Sequence, residues 1–482
     1  LKNKKVTFIN QNKFFKINKA GIWYIPLMLL ALSFKPQRSP NVVLVYFDDM
    51  GYGDIAISGA IDYQTPNFDQ MANEGLYFSQ FYSPQAVCSA SRAGLLTGCY
   101  PNRIGFSGAL DHTAKIGLNP EETTIAEALK TKGYATAAIG KWHLGHQKEF
   151  LPTRHGFDQF FGIPYSHDMW PGHPTTKNYY PELPLYQNEE IIERNPDFGQ
   201  FTKLFTERAL DFIKTNKRKP FFLYLAHPMP HVPLAASESF KGKSKQGLYG
   251  DVIMELDWSI GLIRKYLKEN GLSENTLVIV NSDNGPWLNY GNHAGSAGGL
   301  REGKGTTFDG GQKVPALMAW KGTLPEGKIL NGLSSGIDIL PTICEATGAQ
   351  LPARQIDGIS LLSYLKGLTD SPREMFLYYY RKNNLEAIRY RNWKLVFDHP
   401  GRTYEGFEPG RYGQPGTVNE NYNHKSGLFD LRRDPGERYD VSKYFPEVIE
   451  KLNELADKAR LELGDDLKNI KGTGNRDIGK TN

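Results

Sequence analysis

A recurring pair dominates the hydrophobic pattern of the chain: a segment with apolar residues at helical spacing, then a short run that is apolar almost throughout. "NVVLVYFDDMG" (41–51) is such a run, β-branched and aromatic, ending abruptly in two acids and a glycine. That is the pattern of a parallel strand buried on both faces. "TPNFDQMANEG" (65–75) predicts a helix, with Thr65 as N-cap, Pro66 in the first turn and Gly75 as the stop. "TTIAEALKTKG" (123–133) predicts another, followed by the strand "YATAAIG" (134–140). The helix 201–216 leads into the strand "FFLYLAH" (221–227), and the helix 252–271 into "TLVIVNSDNG" (276–285). This alternation predicts an α/β fold with a large, mostly parallel central sheet flanked by helices.

From about residue 375 the pattern changes. "MFLYYY", "EAIRYRNWKLVFD" and "GLFDL" predict antiparallel strands, and "PEVIEKLNELADKARLEL" (446–463) predicts a terminal amphipathic helix. The expected organisation is a catalytic domain over 40–372, a smaller C-terminal α+β antiparallel-sheet subdomain over 373–465, and a polar, flexible tail over 466–482. No internal repeat stands out.

Composition changes this picture mainly at the start. The 482 residues have an ordinary globular balance, and 12% aromatic content excludes a disordered chain. Residues 1–35 differ: Lys2, Lys4, Lys5, Lys13, Lys16, Lys19 and Lys35 occur there without an acid, around the apolar run "GIWYIPLMLLALSF" (21–34). That run is short of the ~20 residues a membrane-spanning helix needs. It predicts a signal peptide over 1–35, cut near Ser33, and hence an exported, periplasmic or secreted protein; an uncleaved membrane anchor is the alternative. Without those seven lysines the net charge goes from +5 to −2, so no basic face for nucleic acid is expected. Three cysteines, Cys88, Cys99 and Cys344, do not make a disulfide framework, although a single pair stays open.

Ligands of open parallel sheets bind beyond the carboxyl ends of the strands. Just past the predicted strands lie Asp48 and Asp49; Lys141 and His143; His227 and His231; and Asp283 and Asn284. Singly, these are ordinary turn and cap residues. Together, the carboxylates and the amide make a hard oxygen-ligand set suited to Ca²⁺ or Mg²⁺ rather than Zn²⁺. "GLREGKGTTFDGG" (299–311) is not a phosphate loop, because Gly305 rather than Ser or Thr follows Lys304; Lys304 can still reach an anion as a point charge. In "CSASRAGLLTG" (88–98), Cys88 falls at a predicted helix N-terminus with Arg92 one turn on. Both favour anionic chemistry at residue 88. A thiolate, however, matches a hard cation poorly.

"CSASRAGLLTG" resembles the first signature of the sulfatase family, and "GKWHLG" resembles its second. "FDDMGYGD", "SDNGP" and "GKGTTFDGG" are similar to its other active-site blocks. "FLPTRHGFDQFFGIPYSHD" (150–168) resembles the arylsulfatase A and galactosamine-sulfatase branch, and "LFDLRRDPGERYDVS" the family's C-terminal strand. The blocks run in family order from about 41 to 442.

The resemblance implies an alkaline phosphatase-like fold and a sulfuric ester hydrolase in which Cys88 is oxidised to formylglycine by a maturation enzyme of the host. Ala90 stands where many members have proline, so conversion depends on that enzyme. One Ca²⁺ would be held by Asp48, Asp49, Asp283, Asn284 and the modified residue 88. The aldehyde hydrate would attack sulfur, with Asp283 as base, and His231, helped by Lys304, would protonate the leaving oxygen. His231 is preferred to His227 because "MPHVP" fits the family's His-x-Pro. His143 would then drive elimination of sulfate, while Arg92, Lys141 and Ser166 hold residue 88 and the sulfate. Trp170, Trp287, Tyr179 and Tyr180 would suit either stacking on a sugar or loop packing, and a sulfated glycan is the expected substrate. The rival expectations are a phosphodiesterase or phosphonate monoester hydrolase of the same superfamily, and an inactive glycan-binding protein.

Overall fold

A computed structural model describes residues 39–481. The expected signal peptide and its cleavage site lie outside the described residues. Among the described residues, no helix is long and apolar enough to cross a membrane.

Strand β1 (Asn41–Phe47) is wholly buried, as its unbroken apolar run requires. Val42, Leu44 and Tyr46 face one core, and Val43, Val45 and Phe47 face a second. Around it stand β2 (Leu76–Phe78), β3 (Ala135–Lys141), β4 (Gln159–Ile163), β5 (Pro184–Gln187), β6 (Glu190–Arg194), β7 (Phe221–Ala226), β8 (Thr276–Ser282), β9 (Ala316–Ala319) and β10 (Lys328–Leu330). They form one ten-stranded sheet in the order β10-β2-β9-β8-β1-β7-β3-β4-β5-β6. The central block β8-β1-β7-β3-β4 is parallel throughout. The expected parallel centre is present, within a sheet that is mixed toward its flanks. Strand β9 runs antiparallel to both β8 and β2, and at the other edge β5 pairs antiparallel with β4 and β6. Strand β6, at the edge, is exposed along its whole length and carries no double-sided apolar run of the kind that marks the centre.

Helices cover both faces. On one side pack α1 (Pro66–Asn73), α4 (Phe201–Asn216) and α5 (Leu248–Glu269), through Phe68, Phe205, Ile253 and Ile260. On the other pack α2 (Cys88–Thr97), α3 (Ile125–Lys130) and α6 (Ile339–Thr347). Helix α3 opens with a full capping box between Thr124 and Glu127. Thr65, by contrast, sits at the N-cap of α1 but spends its hydroxyl accepting from the Ala56 amide.

The C-terminal strands β11 (Met375–Tyr380), β12 (Asn384–Tyr390), β13 (Trp393–Val396) and β16 (Gly427–Asp430) form a separate antiparallel sheet, and β14 (His399–Thr403) pairs with β15 (Asn419–His424). Helix α7 (Pro446–Leu463) packs on this sheet through Leu452, Ala456 and Leu463.

The segment expected to be a tail, 466–482, makes contacts with the rest of the chain. Gly479 and Lys480 pair antiparallel with Gly117 and Ile116 of the main domain. The Arg476 amide donates to the Arg103 carbonyl at 2.6 Å, and its guanidinium holds the buried Glu122 at 2.7 Å. Most of the segment stays exposed, but Arg476 meets the buried Glu122, and composition alone does not separate that case from solvation.

Glu386 of β12 is buried and accepts a hydrogen bond from Thr307 Oγ1 at 2.9 Å. Burial pushes its carboxyl from the ordinary 4.5 to about 8. A raised acid stabilises the fold fully below its unfolded pKa, and that contribution is lost as pH climbs through the folded value. Stability should therefore decline between about pH 4.5 and 8 partly through this residue. Glu386→Gln should raise the melting temperature at pH 9 relative to the native chain and leave it unchanged at pH 4. Thermal melts with the same pH dependence in both proteins would contradict this.

Candidate active site

The carboxyl ends of β1, β3 and β8 and the N-terminus of α2 meet at one point. Asp48 and Asp49 follow β1, Lys141 ends β3, Asp283 and Asn284 follow β8, and Cys88 opens α2. Two backbone positions there are left-handed: Asp49 with φ 66° and His143 with φ 61°. Such positions cost roughly 1–3 kcal/mol each and gather where a side chain must be aimed. Gly285 lets the 303–311 loop in. A Cβ there would lie 1.9 Å from the Gly310 carbonyl oxygen, so only glycine permits the approach that delivers Lys304.

The site is a dry cluster of opposed charges. Asp48 and Asp283 are fully buried, and so is Arg92. Arg92 Nη2 donates to Asp283 Oδ2 at 2.7 Å and lies 3.7 Å from Asp48. Lys141 Nζ donates to Asp48 Oδ2 at 2.5 Å and to Ser166 Oγ at 3.0 Å. Lys304 Nζ lies 2.8 Å from Asp49 Oδ1 and over the Trp287 ring at 4.3 Å. Burial alone would raise Asp48, but Lys141, His231, Arg92 and Lys304 together hold its carboxyl well below the usual range. Asp283 goes the other way: burial and the neighbouring Asp48 charge lift it to about 7. Two carboxylates at one place are thus split into a firm anion and a group that exchanges a proton near neutrality.

Cys88 Sγ donates to Asp48 Oδ1 at 3.4 Å. Burial and the Asp48 charge push its thiol well up, against the pull of Lys141 and Lys304. A thiolate nucleophile is therefore disfavoured here despite the helix N-terminus. Cys99 and Cys344 are also free, so no pair forms between them.

The histidines fall into two kinds. His227 stacks on Phe47 and shares a 3.1 Å hydrogen bond with Ser259, away from the charged cluster; burial lowers it to about 3. His231 has its Nε2 3.6 Å from Asp49 Oδ2, its Nδ1 2.5 Å from the Val232 carbonyl oxygen, and Trp287 and His167 beside its ring. His143 Nε2 lies 2.8 Å from the Leu110 carbonyl oxygen, which can only accept, so Nε2 carries the proton. Its Nδ1 is buried without a partner. Burial and Lys141 hold this imidazole well below its ordinary pKa, leaving Nδ1 a free lone pair.

The donor set fits a hard cation. Ligand atoms of Asp48, Asp49, Cys88 and His231 lie within 4.8 Å of one another. Asp283 Oδ1 accepts from the Asp49 amide at 3.1 Å, and Asn284 Nδ2 donates to Asp49 Oδ1 at 2.6 Å. The remaining amide oxygen, Asn284 Oδ1, is buried and has no partner, which is the state expected of a ligand atom awaiting a positive charge. Every residue singled out from the sequence for the metal, residue 88 and the sulfate is therefore in this one cluster. Of the four aromatics, Trp287 touches His231 and Lys304, whereas Trp170 packs edge-on against Phe198. Tyr179 and Tyr180 form a second aromatic group with His112 and His173.

Sequence reasoning missed three supports. His167 packs at 5.7 Å against His231. Asp54 ties the metal loop down by accepting from the Gly51 and Ser296 amides and from Tyr249 Oη at 2.6 Å. Tyr404 holds the Lys304 carbonyl at 2.6 Å. Asp54 falls inside the quoted "FDDMGYGD", and its place directly after Gly53 in a glycine-containing turn is the kind of signal that could have marked a brace.

Comparison with known proteins agrees with this geometry. The sulfatase family model matches residues 40–349, and the model for the C-terminal region of aryl-sulfatase matches residues 371–475. The chain is 37% identical over 468 residues to N-acetylgalactosamine-6-sulfatase of Canis lupus familiaris, covering 90% of this chain and 88% of that one. It is 37% identical over 458 residues to human (Homo sapiens) arylsulfatase A, covering 89% of each. In three dimensions it is similar to the crystal structure of PsFucS1 sulfatase from Pseudoalteromonas sp., with a TM-score of 0.78, 28% identity and 92% of each chain covered.

Proposed function

This chain belongs to the sulfatase family and hydrolyses sulfate esters, and from that premise we propose that its substrate is a sulfated carbohydrate, cleaved with an oxidised residue 88 and one Ca²⁺. The observation that carries the reading is the convergence of Cys88, Arg92, Lys141, Lys304 and His231 on a cluster of three buried carboxylates. Asp48, Asp49, Asp283, Asn284 and residue 88 would hold the ion, and oxygen donors favour Ca²⁺. A bound cation there would neutralise the carboxylates and polarise sulfate, leaving the ammonium groups of Lys141 and Lys304 for the anionic substrate. His231 stands in the same cluster, but a hard cation prefers oxygen to imidazole, and we assign His231 to proton transfer.

Oxidation of Cys88 to formylglycine by a host maturation enzyme would supply an aldehyde whose hydrate places a nucleophilic oxygen where the sulfur lies. Asp283, in the same buried cluster and held by Arg92, is the base we assign to the proton of that oxygen. Lys141 and Ser166 hold sulfate oxygens, and Arg92, fixed between Asp283 and Asp48, keeps residue 88 and those carboxylates in register. His231, with Lys304 beside it over Trp287, gives a proton to the leaving oxygen. The free Nδ1 of His143 accepts the proton whose loss releases sulfate.

A sugar substrate is supported by Trp287 beside His231 and Lys304 and by the relative named for a sulfated amino sugar. Export follows from the leader pattern of residues 1–35. The test is turnover by the purified, matured protein of nitrophenyl sulfate, of the matching aryl phosphodiester, and of a panel of defined sulfated oligosaccharides. Release of sulfate from at least one oligosaccharide, with the phosphodiester slower than the aryl sulfate, is expected. Faster phosphodiester cleavage and no sulfated sugar turned over would overturn the substrate reading.

A further inference from the structure

Lys304 is delivered by the main domain but fastened by the C-terminal subdomain. Its backbone carbonyl accepts from Tyr404 Oη at 2.6 Å and from Arg402 Nη1 at 3.4 Å. Arg402 also donates to Tyr404 Oη at 3.1 Å, and Glu420 of β15 holds the far side of its guanidinium at 2.8 Å. Two residues earlier, Glu302 is left-handed, with φ 59°, and buried. Its carboxylate accepts from Thr403 Oγ1 and from the Tyr404 amide at 2.8 Å. Gly305 follows with φ 79°, and a Cβ there would meet Arg402 Nη1 at 3.0 Å.

The loop 302–305 is thus pinned on both sides of Lys304 by the end of β14. On the inner side, the Lys304 amide donates to the Pro286 carbonyl and the Gly305 amide to the Ala86 carbonyl. Between these two sets of bonds the Lys304 side chain runs toward Asp49 and the face of Trp287. A bond to the lysine carbonyl does nothing for general stability that many other surface bonds would not do. Its particular effect is to fix the origin of a long, flexible side chain that carries ~2 kcal/mol of rotamer entropy.

We infer that Tyr404 is a positioning residue for Lys304, which makes the C-terminal subdomain part of the device that protonates the leaving oxygen. The inference rests on the role given above to Lys304. Tyr404 Oη is spent on the Lys304 carbonyl, so the residue acts through Lys304 rather than on substrate. Loosening it lets the ammonium wander from His231 and the leaving group, and the loss grows as the leaving group becomes a stronger base.

The experiment is a series of aryl sulfates of graded leaving-group pKa, measured on matured native protein, Tyr404→Phe, Lys304→Ala and the double variant, with melting temperatures for each. Lys304→Ala should show losses that rise with leaving-group pKa. Tyr404→Phe should show the same trend at about a tenth of native kcat on the poorest leaving group, the scale of one lost hydrogen bond. It should stay within about twofold of native on nitrophenyl sulfate, because a good leaving group needs little protonation. In the Lys304→Ala background it should add no loss. Glu302→Gln, which keeps the loop's volume, gives the same trend more weakly if Tyr404→Phe folds poorly. Equal losses on all substrates, or losses that add to those of Lys304→Ala, overturn the inference while leaving Lys304 in its role. A Lys304→Ala variant without leaving-group dependence overturns both.

Discussion

Asp48→Asn should cost the enzyme its bound metal and at least about a thousandfold of kcat together. The side chain is fully buried, accepts from Lys141 and from the Cys88 thiol, and lies 3.7 Å from Arg92. Its carboxyl is held well below the ordinary range, because burial is outweighed by Lys141, His231, Arg92 and Lys304. The anionic form is therefore what the site is built around, and an amide of the same shape removes a full ligand charge. Alanine is the poorer test, since it removes the hydrogen-bond acceptor of Lys141 and the packing of the side chain as well as the charge. Elemental analysis beside kcat decides the matter. A variant that keeps one equivalent of metal and most of its turnover would show that Asp48 only neutralises the lysine.

The second large effect concerns His231. His231→Ala should lower kcat on a sulfated sugar by about 10²–10⁴, while nitrophenyl sulfate loses less than about tenfold. A sugar alkoxide is a strong base and cannot leave unprotonated, whereas nitrophenolate can. We assign His231 this part on its surroundings. Its Nδ1 is tied to the Val232 carbonyl oxygen, and its Nε2 faces Asp49 beside Lys304 and Trp287. His227 offers the control. It is bonded to Ser259 and stacked on Phe47, so His227→Gln should disturb packing without any dependence on leaving group. Equal losses on both substrates in His231→Ala would mean that the histidine orients the site and does not give the proton.

The centre of this fold is legible in the chain because its physics is local. The unbroken run 41–47 has to be buried on two faces, and the structure puts its alternate residues in two cores. The candidate site is legible for a related reason. In such a sheet the chemistry lies past the strand ends, and Asp48, Lys141 and Asp283 are found by walking off β1, β3 and β8. That rule gives the neighbourhood only; the roles of residue 88, His143 and His231 came from motif resemblance. The supports were hidden because they join distant segments through single contacts. Tyr404 meets Lys304 across 100 positions, and Tyr249 meets Asp54 across 195, with no periodic pattern to announce either. The contacts of the tail were hidden for a similar reason: Arg476 looks like a solvated charge until Glu122, more than 350 positions away, is placed beside it.

The central claim is that sulfate ester hydrolysis here depends on an oxidised residue 88 rather than on a cysteine. The direct measurement is mass spectrometry of the peptide containing residue 88, run beside kcat on preparations made with and without a co-expressed maturation enzyme. The account predicts a species about 18 Da lighter than the cysteine peptide, with activity proportional to its fraction. Full activity in a preparation whose residue 88 is entirely thiol would contradict it.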